Sequence, residues 1–199
     1  MKKIISIFLC IVAICMSLSA CSTLNNEMTE ENITKTVDRA FDALAKFDTD
    51  DLNKYVDSPT LTTIISYAEK HQQFADLGRA IFENLSYEIK SIDTENQTVT
   101  ISVQNKDLYL VASDFARELK ADYTTFQLLT KLSDDSFLDR KLNELCDGIA
   151  NAKLSGNTTD ITLSVEKGKK NLVLVFDNEA ENSVSGGALS AIKTIYGLS

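Results

Sequence analysis

From Ile33 onward the apolar positions recur at helical spacing. Ile33, Val37, Ala40, Phe41 and Leu44 form one stripe of an amphipathic helix. Asp48 or Thr49 caps a second short helix with Leu52, Tyr55 and Val56 facing inward. Pro59 marks a break, and Thr60 opens a third helix through Ile64, Ile65 and Ala68. A fourth is expected over residues 74–84, with Phe74, Leu77, Ala80 and Ile81 as its apolar face. Gly78 in its middle costs helicity and permits close packing.

At Leu85 the period changes to two. Leu85, Tyr87 and Ile89 alternate with polar neighbours, and after Asp93-Thr94-Glu95-Asn96 so do Val99, Ile101 and Val103, which predicts a β-hairpin with one buried face. Lys106 and Asp107 close it, with Asp107 placed to cap the next helix. Helical spacing returns over residues 108–152: Leu108, Ala112, Phe115, Leu119, Tyr123 and Phe126 run down one side. Ser133 then caps a helix carrying Phe137, Leu138, Leu142, Leu145 and Ile149, with Asp134 and Asp135 in its first turn. After Gly156-Asn157, Thr159, Ile161, Leu163 and Val165 alternate again. The chain turns through residues 166–170 and returns as the apolar run 172–176, which reads as a central strand. Gly186-Gly187 precede a short terminal helix through Leu189, Ile192 and Ile195. With no internal repeat and a single proline, residues 32–199 read as one α+β domain: a curved antiparallel sheet of two hairpins packed on N-terminal helices, with a helical insertion between the hairpins.

The N-terminus follows a different rule. Lys2 and Lys3 precede the apolar residues 4–16, in which Ser6 is the only polar position, and small residues follow. A basic start, a short apolar stretch and a small-residue exit describe a secretory signal peptide over residues 1–20. Apolar character ends after about 17 residues, short of the roughly 20 that span a bilayer as a helix. The closing stretch, Leu18-Ser19-Ala20-Cys21, resembles the lipobox of bacterial lipoprotein precursors. That resemblance implies cleavage before Cys21 and a thioether diacylglycerol on its sulfur, often with N-acylation. The expected place is the extracytoplasmic face of the cell membrane, with membrane lipid as the partner of acylated Cys21. Two acyl chains suffice for stable anchoring. Residues 21–31, polar and without periodicity, read as a flexible tether.

Composition narrows the partners. The full chain carries a formal charge of −9, and loss of Lys2 and Lys3 makes the mature chain more negative still. That argues against nucleic acid, whose affinity comes from cations that neutralise phosphates. Cys10 and Cys15 leave with the signal and Cys21 is acylated, so Cys146 has no disulfide partner. At helical spacing with Leu142 and Ile149 it reads as a small buried hydrophobe. The only histidine, His71, beside Lys70 and Gln72-Gln73, reads as a surface residue.

Element order and three stretches resemble the small secreted lipoproteins with a nuclear-transport-factor-like, or cystatin-like, domain. The stretches are residues 51–56 (Asp51-Leu52-Asn53-Lys54-Tyr55-Val56), the strand–turn–strand of residues 91–103, and Ser185-Gly186-Gly187-Ala188-Leu189. In that group a curved sheet wraps around N-terminal helices. Many members carry a tryptophan where the final hairpin returns, and here Asn171-Leu172-Val173 stand there.

Catalytic members of such a fold place Asp, His or Tyr in the cone between sheet and helices. The residues of those types that could reach it are Asp107, Asp114, Tyr55, Tyr87 and Tyr123. A carboxylate in an apolar cone would have its pKa raised and could act as a base. Asp107 and Asp114 read more simply as a cap and a solvent-facing helix residue, and the tyrosines as core with the hydroxyl at the surface. One histidine and one unpaired thiol exclude the usual zinc sets. Asp48, Asp50 and Asp51 crowd together without the Gly and Glu of a calcium loop. No phosphate loop, dinucleotide fingerprint or nucleophile elbow occurs, so neither metal nor cofactor is expected. The function expected is therefore a non-enzymatic binding or interaction module of the cell envelope, taking an envelope protein or a small apolar ligand. The alternative is a small-molecule enzyme of the isomerase or dehydratase type.

Overall fold

A computed structural model describes residues 26–196. Residues 1–25 and 197–199 lie outside it, and with them the signal segment and Cys21. Helix α1 (Glu30–Lys46) starts where Thr29 accepts the Asn32 N–H on its hydroxyl at 3.2 Å. Glu30 and Glu31 lie in its first turn and Lys46 in its last, each where the helix dipole favours that sign. Its predicted stripe is the buried one. The helix begins inside the segment expected to be a tether, and Met28 already packs on the core while the Asn26 side chain donates to the Gly168 carbonyl. Acidic residues in a first turn resemble linker composition, which is why the boundary falls earlier than the polarity suggests.

Helix α1 ends on Phe47, whose φ of 49° is unusual for a bulky residue. The conformation is held by burial. The Phe47 ring stacks with Phe82 at 6.4 Å and covers Gly78, where an added Cβ would lie 2.4 Å from the ring. Gly78 is thus the close-packing glycine its position implies. Asp48 caps α2 (Thr49–Tyr55), accepting the Asp51 N–H at 3.1 Å. Ser58, not Thr60, sets the start of α3 (Pro59–Ala68), with Pro59 in the first turn. Helix α4 (Gln72–Phe82) follows.

The sheet has five strands in the order β1-β5-β4-β3-β2. Strands β2 (Ser86–Asp93) and β3 (Thr98–Gln104) form the first hairpin, with a register shift between Ile89 and Ser91. Strands β4 (Thr159–Lys167) and β5 (Leu172–Val175) form the second, and β3 pairs antiparallel with β4. The expected all-antiparallel sheet of two hairpins is corrected by β1 (Val56–Asp57), which adds parallel to β5 through Val56 opposite Leu174. Two residues are too few to show a period. Strand β5 accordingly lies next to the edge rather than in the centre. It buries Leu172 and Leu174 but only half-buries Val173 and Val175. One sheet face carries Val99, Ile101, Val103, Ile161, Leu163 and Val165 into the core against α1; the other presents Glu88, Lys90, Thr162 and Glu166.

The insertion folds as three helices, α5 (Tyr109–Asp122), α6 (Thr125–Lys131) and α7 (Asp135–Asn151). Asp107 does not cap α5 from the N-cap position; Leu108 holds that place, and Asp107 accepts the Tyr109 N–H at 3.3 Å. The stripe expected to run through Phe126 stops at Tyr123, which is extended. A capping box of Thr124 and Gln127 restarts the helix in a new phase and leaves Phe126 76% exposed. Asp134, not Ser133, caps α7. After β5 comes an unforeseen short helix, α8 (Asn178–Val184), and then α9 (Ala188–Tyr196). Gly186, at φ 60°, sits where a Cβ would lie 2.0 Å from the Lys106 carbonyl, so the α8–α9 corner requires glycine there. The helices α4, α5, α7 and α9 bury two smaller apolar clusters beyond the one on the sheet.

Candidate functional site

Where α3, α4, α5, α7, α8 and α9 converge they leave a cavity of about 240 Å³. It is not the cone between sheet and helices: no strand residue lines it. Phe47, Leu77, Ile81, Leu108, Leu145 and Ile149 supply much of its wall, with Ala112 and Ala188 as the small side chains that leave room. Ile192, 37% exposed, stands at its surface side with Ile64 and Leu189.

Thr60, Glu181 and Ser185 are the polar side chains that border the cavity, and all three are engaged elsewhere. Glu181 is 5% exposed. One of its oxygens accepts from the Ser58 hydroxyl and from the Thr60 N–H at 3.1 Å, and the other from the Thr60 hydroxyl at 2.7 Å. No cation pairs with it among the described residues. The start of α3 does that work instead: its free N–H group and the positive end of its dipole face the carboxylate. Ser185 donates to the Asn182 carbonyl at 3.1 Å. The surface left facing the cavity is hydrocarbon.

The sequence candidates lie elsewhere. Tyr87 packs its ring on Phe41 at 4.4 Å and donates its hydroxyl to Asp38 at 2.7 Å. Burial, reinforced by that hydrogen bond and the Asp38 charge, pushes its phenol far above the usual tyrosine range, the reverse of what a base requires. Asp114 is exposed and pairs with Arg117 at 3.0 Å. Asp107 is exposed at the foot of α5, Tyr55 packs on the sheet core, and Tyr123 meets Phe137 edge-on at 5.4 Å. The structure brings none of the five to the cavity. His71 is half-buried rather than on the open surface, its Nδ1 2.9 Å from Asp135 and so linking α4 to the start of α7. Cys146 is half-buried, and burial pushes its thiol above the ordinary value, Asp76 and Asp147 adding to the effect.

Sequence reasoning missed Glu181. In Asp177-Asn178-Glu179-Ala180-Glu181 it reads as one more surface acid. Its only signal is position, three residues before buried Val184 and beside buried Ala180. Among the described residues no group of three or more His, Cys, Asp and Glu is placed to hold a metal ion, and no helix is long and apolar enough to cross a membrane. No protein-family model, curated protein or solved structure matches this chain.

Proposed function

We propose that this chain is a membrane-anchored, extracytoplasmic lipoprotein whose domain is a non-enzymatic binding module of the cell envelope. The observation that carries the reading is Leu18-Ser19-Ala20-Cys21 at the end of a short apolar run behind Lys2 and Lys3. Acylated Cys21 holds the protein on membrane lipid. Asn26, where the domain already makes contact, follows about five residues later, a reach of at most about 17 Å when fully extended. The domain therefore works close to the bilayer. The order of helices, hairpin, helical insertion and hairpin supports kinship with the lipoproteins that carry a nuclear-transport-factor-like domain.

Binding is favoured over catalysis because a base must face its substrate. The one buried carboxylate at the cavity is turned into Ser58 and Thr60, and Tyr87 with Asp38 lies outside it. Mass spectrometry of the mature N-terminus tests the anchor. The expected first residue is Cys21 with a diacylglyceryl group, and Cys21→Ser moves the protein from the membrane to the soluble fraction. An unmodified Cys21, retention of residues 1–20, or a Cys21→Ser chain still wholly in the membrane pellet overturns the reading.

A further inference from the structure

We infer that the helix-lined cavity is a binding site for an uncharged hydrocarbon group, supplied by a free apolar molecule or by the tail of a lipid. The inference rests on the reading of the domain as a binding module and gives that module its ligand class. At about 240 Å³ the cavity exceeds the roughly 150 Å³ in which an apolar protein interior takes up a benzene ring. Water is a poor occupant, because a buried water needs about two to four polar partners. Here Thr60, Glu181 and Ser185 spend their hydrogen bonds on one another and on the backbone.

The same arrangement selects against charge. A charged or strongly polar head inside the cavity would be desolvated without a partner. The Glu181 side chain is held by the start of α3 and does not project into the cavity as a counter-ion. The surface-side residues Ile64, Leu189 and Ile192 are themselves apolar, so a hydrocarbon entering from outside meets no polar barrier. Ala112, on α5, and Ala188, on α9, are the positions where extra side-chain volume would take the occupant's place.

The test uses the full chain, extracted with organic solvent to remove bound lipid, in three parallel titrations. p-Xylene serves as free hydrocarbon, benzoate as its charged counterpart, and phosphatidylcholine vesicles as the source of acyl tails. The readouts are the methyl NMR signals of Ala112, Leu145, Ile149 and Ala188, and the melting temperature. p-Xylene is expected to shift those signals saturably and raise the melting temperature, while benzoate does neither. Ala112→Leu and Ala188→Leu should each weaken p-xylene by about tenfold or more, the usual discrimination by added methylenes in an apolar site. Vesicles that shift the same methyls assign the source to a lipid tail; a response to p-xylene alone assigns it to a free molecule. No saturable methyl shift in either arm, benzoate binding as tightly as p-xylene, or unchanged affinity in both folded variants overturns the inference. Should the variants fail to fold, the methyl shifts of the unmodified chain still decide. Lipidation of Cys21 is read separately by mass, so a cavity that binds nothing leaves the anchor reading to stand or fall by itself.

Discussion

Between α1 and the sheet, Ile33, Val37 and Leu44 meet Val99, Ile101, Leu163 and Leu174, all essentially out of contact with solvent. Between α4, α5, α7 and α9 the apolar faces also meet, but in two smaller clusters that border a cavity of about 240 Å³. Both regions use the same aliphatic side chains. What differs is how they are held: strands at hydrogen-bonded spacing present a continuous wall, whereas helices pack on crossing ridges and leave gaps wherever small residues face each other. The sheet half is built for stability. The helical half has given up packing to keep a space.

That contrast breaks first at large-to-small substitutions. Ile101→Ala removes a side chain from a fully packed wall and should cost about 4 kcal/mol, transfer and new cavity together. Leu145→Ala enlarges a space that already exists, so it should cost about 2 kcal/mol, close to the transfer contribution alone. Urea unfolding monitored by circular dichroism gives both values. Equal losses would mean that the cavity wall is as tightly packed as the sheet, and the distinction between the halves would go.

The two halves are joined at Asn105, and a substitution there tests whether they unfold as one. Asn105 is buried just beyond β3, and its amide donates to the Ile81 carbonyl of α4 at 2.9 Å and the Val184 carbonyl of α8 at 2.7 Å, while its oxygen accepts the Lys106 N–H at 2.7 Å. Asn105→Ala leaves those three backbone groups without their partner, a loss of about 2–3 kcal/mol. If Asn105 is the joint, amide exchange should quicken in α4 and α8 more than in β3 and β4. Uniform quickening would show a single cooperative unit with no seam at this residue.

The same division governs what can be read from the sequence. The two hairpins follow from strict alternation, as in Val99, Ile101 and Val103, because period two specifies the buried face and the pairing together. Helical periodicity specifies the face only. Leu77, Ala112, Leu145 and Ile149 are legible as inward-facing, but nothing in their spacing says whether the three helix faces that carry them close on one another or stand apart. Phe126 shows the limit of a stripe: one extended residue, Tyr123, resets the phase and turns the next aromatic outward. Glu181 is hidden for a related reason. Its burial depends on Ser58 and Thr60, more than a hundred residues away, and no local pattern carries that contact.

The smallest effect expected is at Cys146, on α7 in the looser half. Burial holds its thiol above the ordinary range, so at pH 8 it is largely protonated and should react with iodoacetamide more slowly than a free cysteine; urea should restore the ordinary rate. The same shift acts on stability. The folded chain holds the thiol proton more tightly than the unfolded chain, so the contribution is complete below the ordinary thiol pKa of about 8.5 and is lost as pH rises through the raised value. Stability measured between about pH 7.5 and 9, where tyrosines are still almost wholly protonated, should therefore decline with pH, and Cys146→Ala should flatten that decline. An alkylation rate equal to that of free cysteine would show α7 opening so readily that the thiol spends most of its time in water. The helical half would then be not merely loosely packed but locally unfolded.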